Sequence, residues 1–92
     1  MEIYQLRYFA YAAKYENITM AAQELNVSQP SISKAIQSLE RELKTELLRK
    51  NGRSCVLTHD GYLLQERVVP LLEEIERLPL EFRNRQKKKM IR

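Results

Sequence analysis

One cysteine, Cys55, stands in the 92 residues, so no intramolecular disulfide can form. That fits a reducing compartment. One histidine, His59, stands beside it, and one of each cannot supply the three or four protein ligands of a structural or catalytic metal site. There are two glycines and no tryptophan. No glycine-rich phosphate loop and no nucleophile–base constellation is present, so an enzyme is not expected, and no cofactor is implied. No apolar run is long enough to span a membrane. The start, MEIYQLRYF, lacks the basic-then-apolar pattern of a signal peptide.

What is present is charge, unevenly spread. The formal net charge is +4, but residues 83–92 alone carry six bases and no acid. Without them ten bases face twelve acids, so bulk charge does not by itself point to nucleic acid. The segment 28–58 does. It holds Lys34, Arg41, Lys44, Arg49, Lys50 and Arg53 against three acids, a local basic footprint.

Apolar spacing predicts the elements. Ile3, Leu6, Phe9 or Ala10, and Ala13 recur at helical period over 2–15. Tyr4, Tyr8, Tyr11 and Tyr15 form a second stripe, and two apolar faces imply core or interface on both. Thr19 is expected to cap a short helix, Met20 to Leu25, followed by a turn at Asn26 that tolerates left-handed backbone. Val27 is expected to plug that turn into the core. Ser28 is a good N-cap for the next helix, and Pro30 in its first turn costs no hydrogen bond. This helix, 28–43, has Ile32, Ala35 or Ile36, Leu39 and Leu43 as its expected buried face. Its outward front offers Gln29, Ser31, Ser33, Lys34 and Gln37, with no acid among them.

Asn51-Gly52 between short runs predicts a hairpin whose tip carries Lys50, Asn51 and Arg53. A long helix follows, capped by Thr58 or Asp60. Along it Leu64, Val68, Leu71, Ile75, Leu78 and Phe82 step by 4, 3, 4, 3, 4, an a/d stripe that suggests dimerisation. Pro70 should kink this helix, and Pro79 should end or restart it. The tail from Arg83 reads as a frayed or linking segment, its Lys87–Lys89 run as solvated.

Two helices joined by a tight turn, then a hairpin and a long helix, make a mainly α, winged helix-turn-helix with a dimerising helix. The second helix of such a motif enters the major groove by its N-terminal residues. Gln29 and Gln37 can pair with bases, Ser31 and Ser33 with bases or phosphates, Lys34 with guanine or phosphate, and Pro30 with a thymine methyl. Arg53 suits a narrow minor groove. Lys50 suits a phosphate, and Thr19 suits either a phosphate or a cap. A winged-helix protein-interaction module would not need the acid-free front of the third helix.

Residues 1 to about 72 resemble the N-terminal domain of LysR-type transcriptional regulators. The marks are Leu6 with Phe9, Thr19-Met20-Ala21-Ala22, and above all Leu25-Asn26-Val27-Ser28-Gln29-Pro30-Ser31-Ile32-Ser33-Lys34. Ile36, Leu39-Glu40, Leu43, Leu47, Gly52-Arg53, Leu57-Thr58 and Gly61 continue them. The resemblance implies a bacterial, cytoplasmic regulator that binds double-stranded DNA as a homodimer through antiparallel linker helices. It places Gln29, Pro30, Ser33 and the base at 34 in the major groove and Arg53 in the wing contact. It implies a DNA-binding domain at 1–58, a linker helix at 59–82 and a basic hinge at 83–92, leading to an effector domain beyond this sequence that binds a small molecule. Three positions depart from the pattern: Lys34 where Arg is usual, Lys44 where Gly is usual, and Leu48 where Phe is usual.

Overall fold

The computed structural model describes residues 1–52 and 54–91, with 86–91 described in backbone course only. The order is α1 (Ile3–Tyr15), α2 (Ile18–Leu25), α3 (Gln29–Leu43), β1 (Leu48–Asn51), β2 (Ser54–Leu57) and α4 (His59–Ile91). Mainly helical, with a two-stranded antiparallel wing, this is the expected class.

Each short helix ends where its sequence offers a cap. Asn17, not Thr19, caps α2: the Met20 N–H donates to Asn17 Oδ1 at 3.0 Å, so α2 starts two residues before the expected Met20. Asn and Thr both accept well at this position, so cap preference alone does not choose between them. Asn26 closes α2 at φ 60, and the Val27 N–H reaches back to the Ala22 carbonyl at 3.0 Å. That is a left-handed C-terminal turn of the expected kind. Ser28 caps α3 by accepting from the Ser31 N–H at 3.3 Å. Lys44 ends α3 at φ 56, a conformation that costs any residue with a Cβ.

The core lies where α1, α2, α3 and the base of the wing meet. Phe9, Ile32, Leu39 and Leu47 are fully buried there among Ala12, Ala13, Ala21 and Ala22. Each large side chain contributes about 1.5–3 kcal/mol by leaving water. The alanines let the helices approach closely. Leu43, expected in this face, is instead 36% exposed, because α3 has passed the end of the core by its last turn. Ile3 and Tyr4 are half exposed for the same reason at the start of α1, while Tyr8, Tyr11 and Tyr15 are half-buried.

The wing differs from expectation in its turn. Asn51 pairs with Ser54, so Asn51 belongs to the strand and not to the turn. Gly52 takes φ +65, as the first position of a tight hairpin turn requires. β2 is held on its other edge as well. The Cys55 N–H donates to the Glu16 carbonyl at 3.0 Å, and Asn17 bridges Ser54. The wing is thereby pinned to the turn between α1 and α2.

Thr58 rather than Asp60 caps α4, accepting from the Gly61 N–H at 3.0 Å. A Cβ on Gly61 would lie 2.2 Å from the Leu47 carbonyl oxygen and 2.9 Å from a Leu57 methyl, so only glycine lets α4 start so close to the wing. Contrary to the expected break at Pro79, α4 runs unbroken through Pro70 and Pro79, and it passes the expected limit at 82 to reach Ile91. Each proline removes one donor from the ladder. Both lie on exposed turns, where water can satisfy the carbonyl left without its N–H. Val68 and Leu72 are buried against Ala10, with Leu6 and Leu64 alongside. Of the a/d stripe, Val68 and part of Leu64 are therefore core within the chain, joined by Leu72 from outside the stripe. Leu71, Leu78 and Phe82 are half exposed and Ile75 is 36% exposed.

Candidate nucleic-acid interface

The front of α3 stands clear of the body. Gln29, Pro30, Ser31, Lys34 and Gln37 are exposed, and Ser33 is half-buried. Helical periodicity puts Ile32, Ala35, Ile36 and Leu39 on the opposite face, all buried. Burial of that face turns the polar front outward. The cap does more than start the helix: Ser28 Oγ lies 2.8 Å from Ser31 Oγ, so the two hydroxyls are fixed as a pair at its tip.

Three shallow clefts surround this helix. Thr19 and Gln23 of α2 share one with Ser28 and Gln29. Lys50 of β1 shares a second with Ser33 and Gln37. Tyr4 and Tyr8 of α1 share a third with Ser31, Lys34, Ser38 and Arg41. The fold thus brings Thr19, Gln29, Ser33, Gln37 and Lys50 together around one end and one flank of α3, and Ser31 and Lys34 onto the other flank. Arg53 lies outside the described residues, and so do the side chains of the Lys87–Lys89 run.

Electrostatics sharpen the picture. The segment 28–58 has three acids, and each is engaged. Glu40 Oε2 accepts from the Leu47 and Leu48 N–H groups at 2.8 and 3.3 Å. Glu42 meets the N-terminal ammonium at 2.8 Å, which raises that amine's pKa, chiefly through the hydrogen bond. Glu46 pairs with Arg49 at 3.2 Å. Among the described residues, Lys34, Arg41 and Lys50 make no ion pair. The surface around α3 therefore carries cations whose nearby acids are committed elsewhere.

Sequence reasoning passed over several residues that build this surface. Glu40 ties the base of the wing to α3; its place after Leu39, pointing off the buried face, was the available signal. Gln5 Nε2 donates to Ser38 Oγ at 3.3 Å, linking α1 to α3. Arg41, counted in the basic segment, carries no expected contact because it lies late in the helix. Cys55 is buried beneath the wing, and burial pushes its thiol pKa up, so it is not a reactive thiolate. His59 is exposed, and no group of potential metal ligands exists among the described residues. No helix among them is long and apolar enough to cross a membrane.

Comparison with known proteins supports the same frame. Residues 3–62 match the family described as bacterial regulatory helix-turn-helix protein, lysR family. The chain is 40% identical over 78 residues to the probable cat1 operon transcriptional activator of Acinetobacter lwoffii, covering 85% of this chain and 26% of that protein. Among solved structures it resembles the CbnR_DBD-DNA complex, with a TM-score of 0.82 and 36% identity over 94% of this chain and 99% of that one. It also resembles the BenM_DBD/catB site 1 DNA complex, with a TM-score of 0.84 and 31% identity over 91% of this chain and 93% of that one. The chain spans about a quarter of the length of the curated relatives it matches.

Proposed function

Because this chain belongs to the lysR family of bacterial regulatory helix-turn-helix proteins, we propose that it binds double-stranded DNA with sequence preference, as the DNA-reading part of a transcriptional regulator. The observation that carries this reading is the front of α3: exposed donors and cations, with all three acids of the segment tied up elsewhere. A helix so presented enters the major groove with its first residues at the base edges. Phosphate meets no free carboxylate there.

The roles follow from side-chain chemistry. Gln29 and Gln37 present amides that can pair bidentately with adenine, and Pro30 offers apolar surface to a thymine methyl. Ser31 and Ser33 donate to bases or phosphates. Lys34 acts as a point charge toward phosphate, since it lacks the planar fork with which Arg reads guanine. Thr19 and Lys50 take phosphates on the flank that they share with α3. Arg53, which follows Gly52 in sequence, is assigned to the minor groove.

The exposed part of the α4 stripe (Leu71, Ile75, Leu78 and Phe82) joins a second copy, with the half-buried Leu64 at its inner end, while Val68, expected in the same interface, is taken up by the chain's own core. A two-fold dimer implies a pseudo-palindromic site with half-sites whole helical turns apart. In domain terms, 1–58 reads DNA and 59–82 dimerises, while 83–92 leads toward an effector domain in a longer parent protein, where a small-molecule effector would bind. The setting is the bacterial cytoplasm, and no catalytic activity is assigned.

Selection of bound duplexes from a random library, at near-physiological salt, tests the proposal. An enriched inverted repeat is expected. Binding without enrichment that vanishes as salt rises would reduce the chain to a non-specific cation. Gln29→Ala should then lower affinity for the selected site by about 1–3 kcal/mol and relax preference at one base pair. Equal loss on every sequence would assign Gln29 to the backbone instead.

A further inference from the structure

A helix lying in the major groove has a phosphate backbone on each side. The sites proposed above serve the bases, one of those sides through Thr19 and Lys50, and the other through Lys34 alone. The opposite flank of α3 faces α1 across a polar cleft of about 410 Å³. We propose that this cleft, between the α1 tyrosines and the Lys34–Arg41 edge of α3, grips a backbone phosphate of the second DNA strand. This rests on the DNA-binding reading above, which assigns only Lys34 to phosphate here, and adds Arg41, Ser38 and Tyr8 as its partners in a built site.

Position comes first. Lys34, Gln37 and Arg41 follow one another at steps of three and four, so they share a face of α3. Arg41 thus continues the exposed front toward the end of the helix. It lies two turns beyond Lys34, roughly 10 Å along the axis. Both side chains are exposed, and neither is in an ion pair among the described residues. No acid lines the cleft. Both acids next to Arg41 in sequence are engaged: Glu42 by the N-terminal ammonium and Glu40 by the Leu47 and Leu48 N–H groups.

Chemistry comes second. A phosphate diester asks for cations and for hydroxyl or amide donors arranged around it. Tyr8 brings a phenol from α1, its ring edge-on to Tyr4 at 5.4 Å between centroids. Ser38 Oγ accepts from Gln5 Nε2 at 3.3 Å, which leaves its own hydrogen free to donate. The cleft therefore combines two cations with hydroxyl donors on two helices locked together. Its continuity with the front of α3 through Lys34, which belongs to both, makes DNA the occupant rather than a free anion.

The test uses the chain, its selected duplex, and copies of that duplex carrying one neutral methylphosphonate at successive positions. For the unaltered chain, one flanking methylphosphonate should weaken binding several-fold. Arg41→Gln should weaken binding to the unmodified duplex by a similar factor and lose nothing further at that position. It should also lower the slope of log affinity against log salt by about one, with the preferred sequence unchanged. Tyr8→Phe, which removes only the hydroxyl, should show the same dependence more weakly. If the losses from Arg41→Gln and from every methylphosphonate simply multiply, or if the salt slope is unmoved, the cleft holds no phosphate. Competition by inorganic phosphate at millimolar concentration would instead make it a free-anion site and overturn the proposal. An unaltered chain that enriches no sequence defeats the DNA-reading function itself, a different result from an Arg41 variant that behaves like its parent.

Discussion

Helices α3 and α4 are both amphipathic, but the chain covers the apolar face of one and leaves much of the other bare. On α3, Ile32 and Leu39 are completely buried and Ala35 and Ile36 nearly so. On α4, Val68 and Leu72 are covered by α1, while Leu71, Leu78 and Phe82 keep about half their surface. The same periodic pattern thus has two physical outcomes. The apolar face of α3 is consumed in making the domain, which frees its polar face for a ligand. The bare part of α4 needs a surface that this chain does not supply, since a contiguous apolar stripe of that length is costly in water.

The contrast can be broken most severely at its covered side. Leu39→Ala should destabilise the folded body by about 2–5 kcal/mol, because the space left among Phe9, Ile32 and Leu47 cannot collapse. Denaturant unfolding reads this directly, and a loss below that range would mean that the core is looser than its burial indicates. On the bare side, Ile75→Asp should remove at least about 1.5–3 kcal/mol from association. Its particle mass by light scattering should halve while the unfolding of the monomer body barely moves. Unchanged mass would show that the stripe is not the interface. Loss of the body's fold would show that this part of α4 is core after all.

The smallest effect tests the end of α3. The family resemblance puts glycine where Lys44 stands, and Lys44 sits at φ 56. Lys44→Gly should stabilise by about 0.5–1 kcal/mol, relief of the left-handed conformation exceeding the entropy that glycine adds to the unfolded chain. A melting midpoint that falls would mean that the lysine makes a compensating contact. The Lys34 and Leu48 departures have no comparable backbone consequence, since both residues sit in regular structure.

Helix identities, the cap at Ser28, the left-handed turn at Asn26 and the polar front of α3 were legible because each depends on residues within one or two turns of one another. The cap of α2 was misassigned between Asn17 and Thr19 because both are competent, and the wing decided: Asn17 also bridges Ser54 of β2. Asn51 moved from the expected tip into β1 for a related reason. Register follows the pairing that buries Cys55 and docks it on the Glu16 carbonyl. The end or restart expected at Pro79 in α4 was overstated because propensity counts the lost hydrogen bond but not whether water can replace it. The extended stripe was recognised as apolar, but periodicity could not divide it between α1 and a second surface.

The chain's own sequence determined that α3 would present an acid-free, donor-rich face, because the 3.6-residue period separates Gln29, Lys34 and Gln37 from Ile32, Ala35 and Leu39 whatever they pack against. Only the tertiary structure decided where the acids of that region would go. Glu40 turns to the wing backbone, Glu42 to the N-terminus and Glu46 to Arg49. Those partners are set by how α1, α3 and the wing pack: Glu42 and Glu46 each meet an opposite charge, whereas Glu40 keeps its charge and directs Oε2 to two backbone N–H groups.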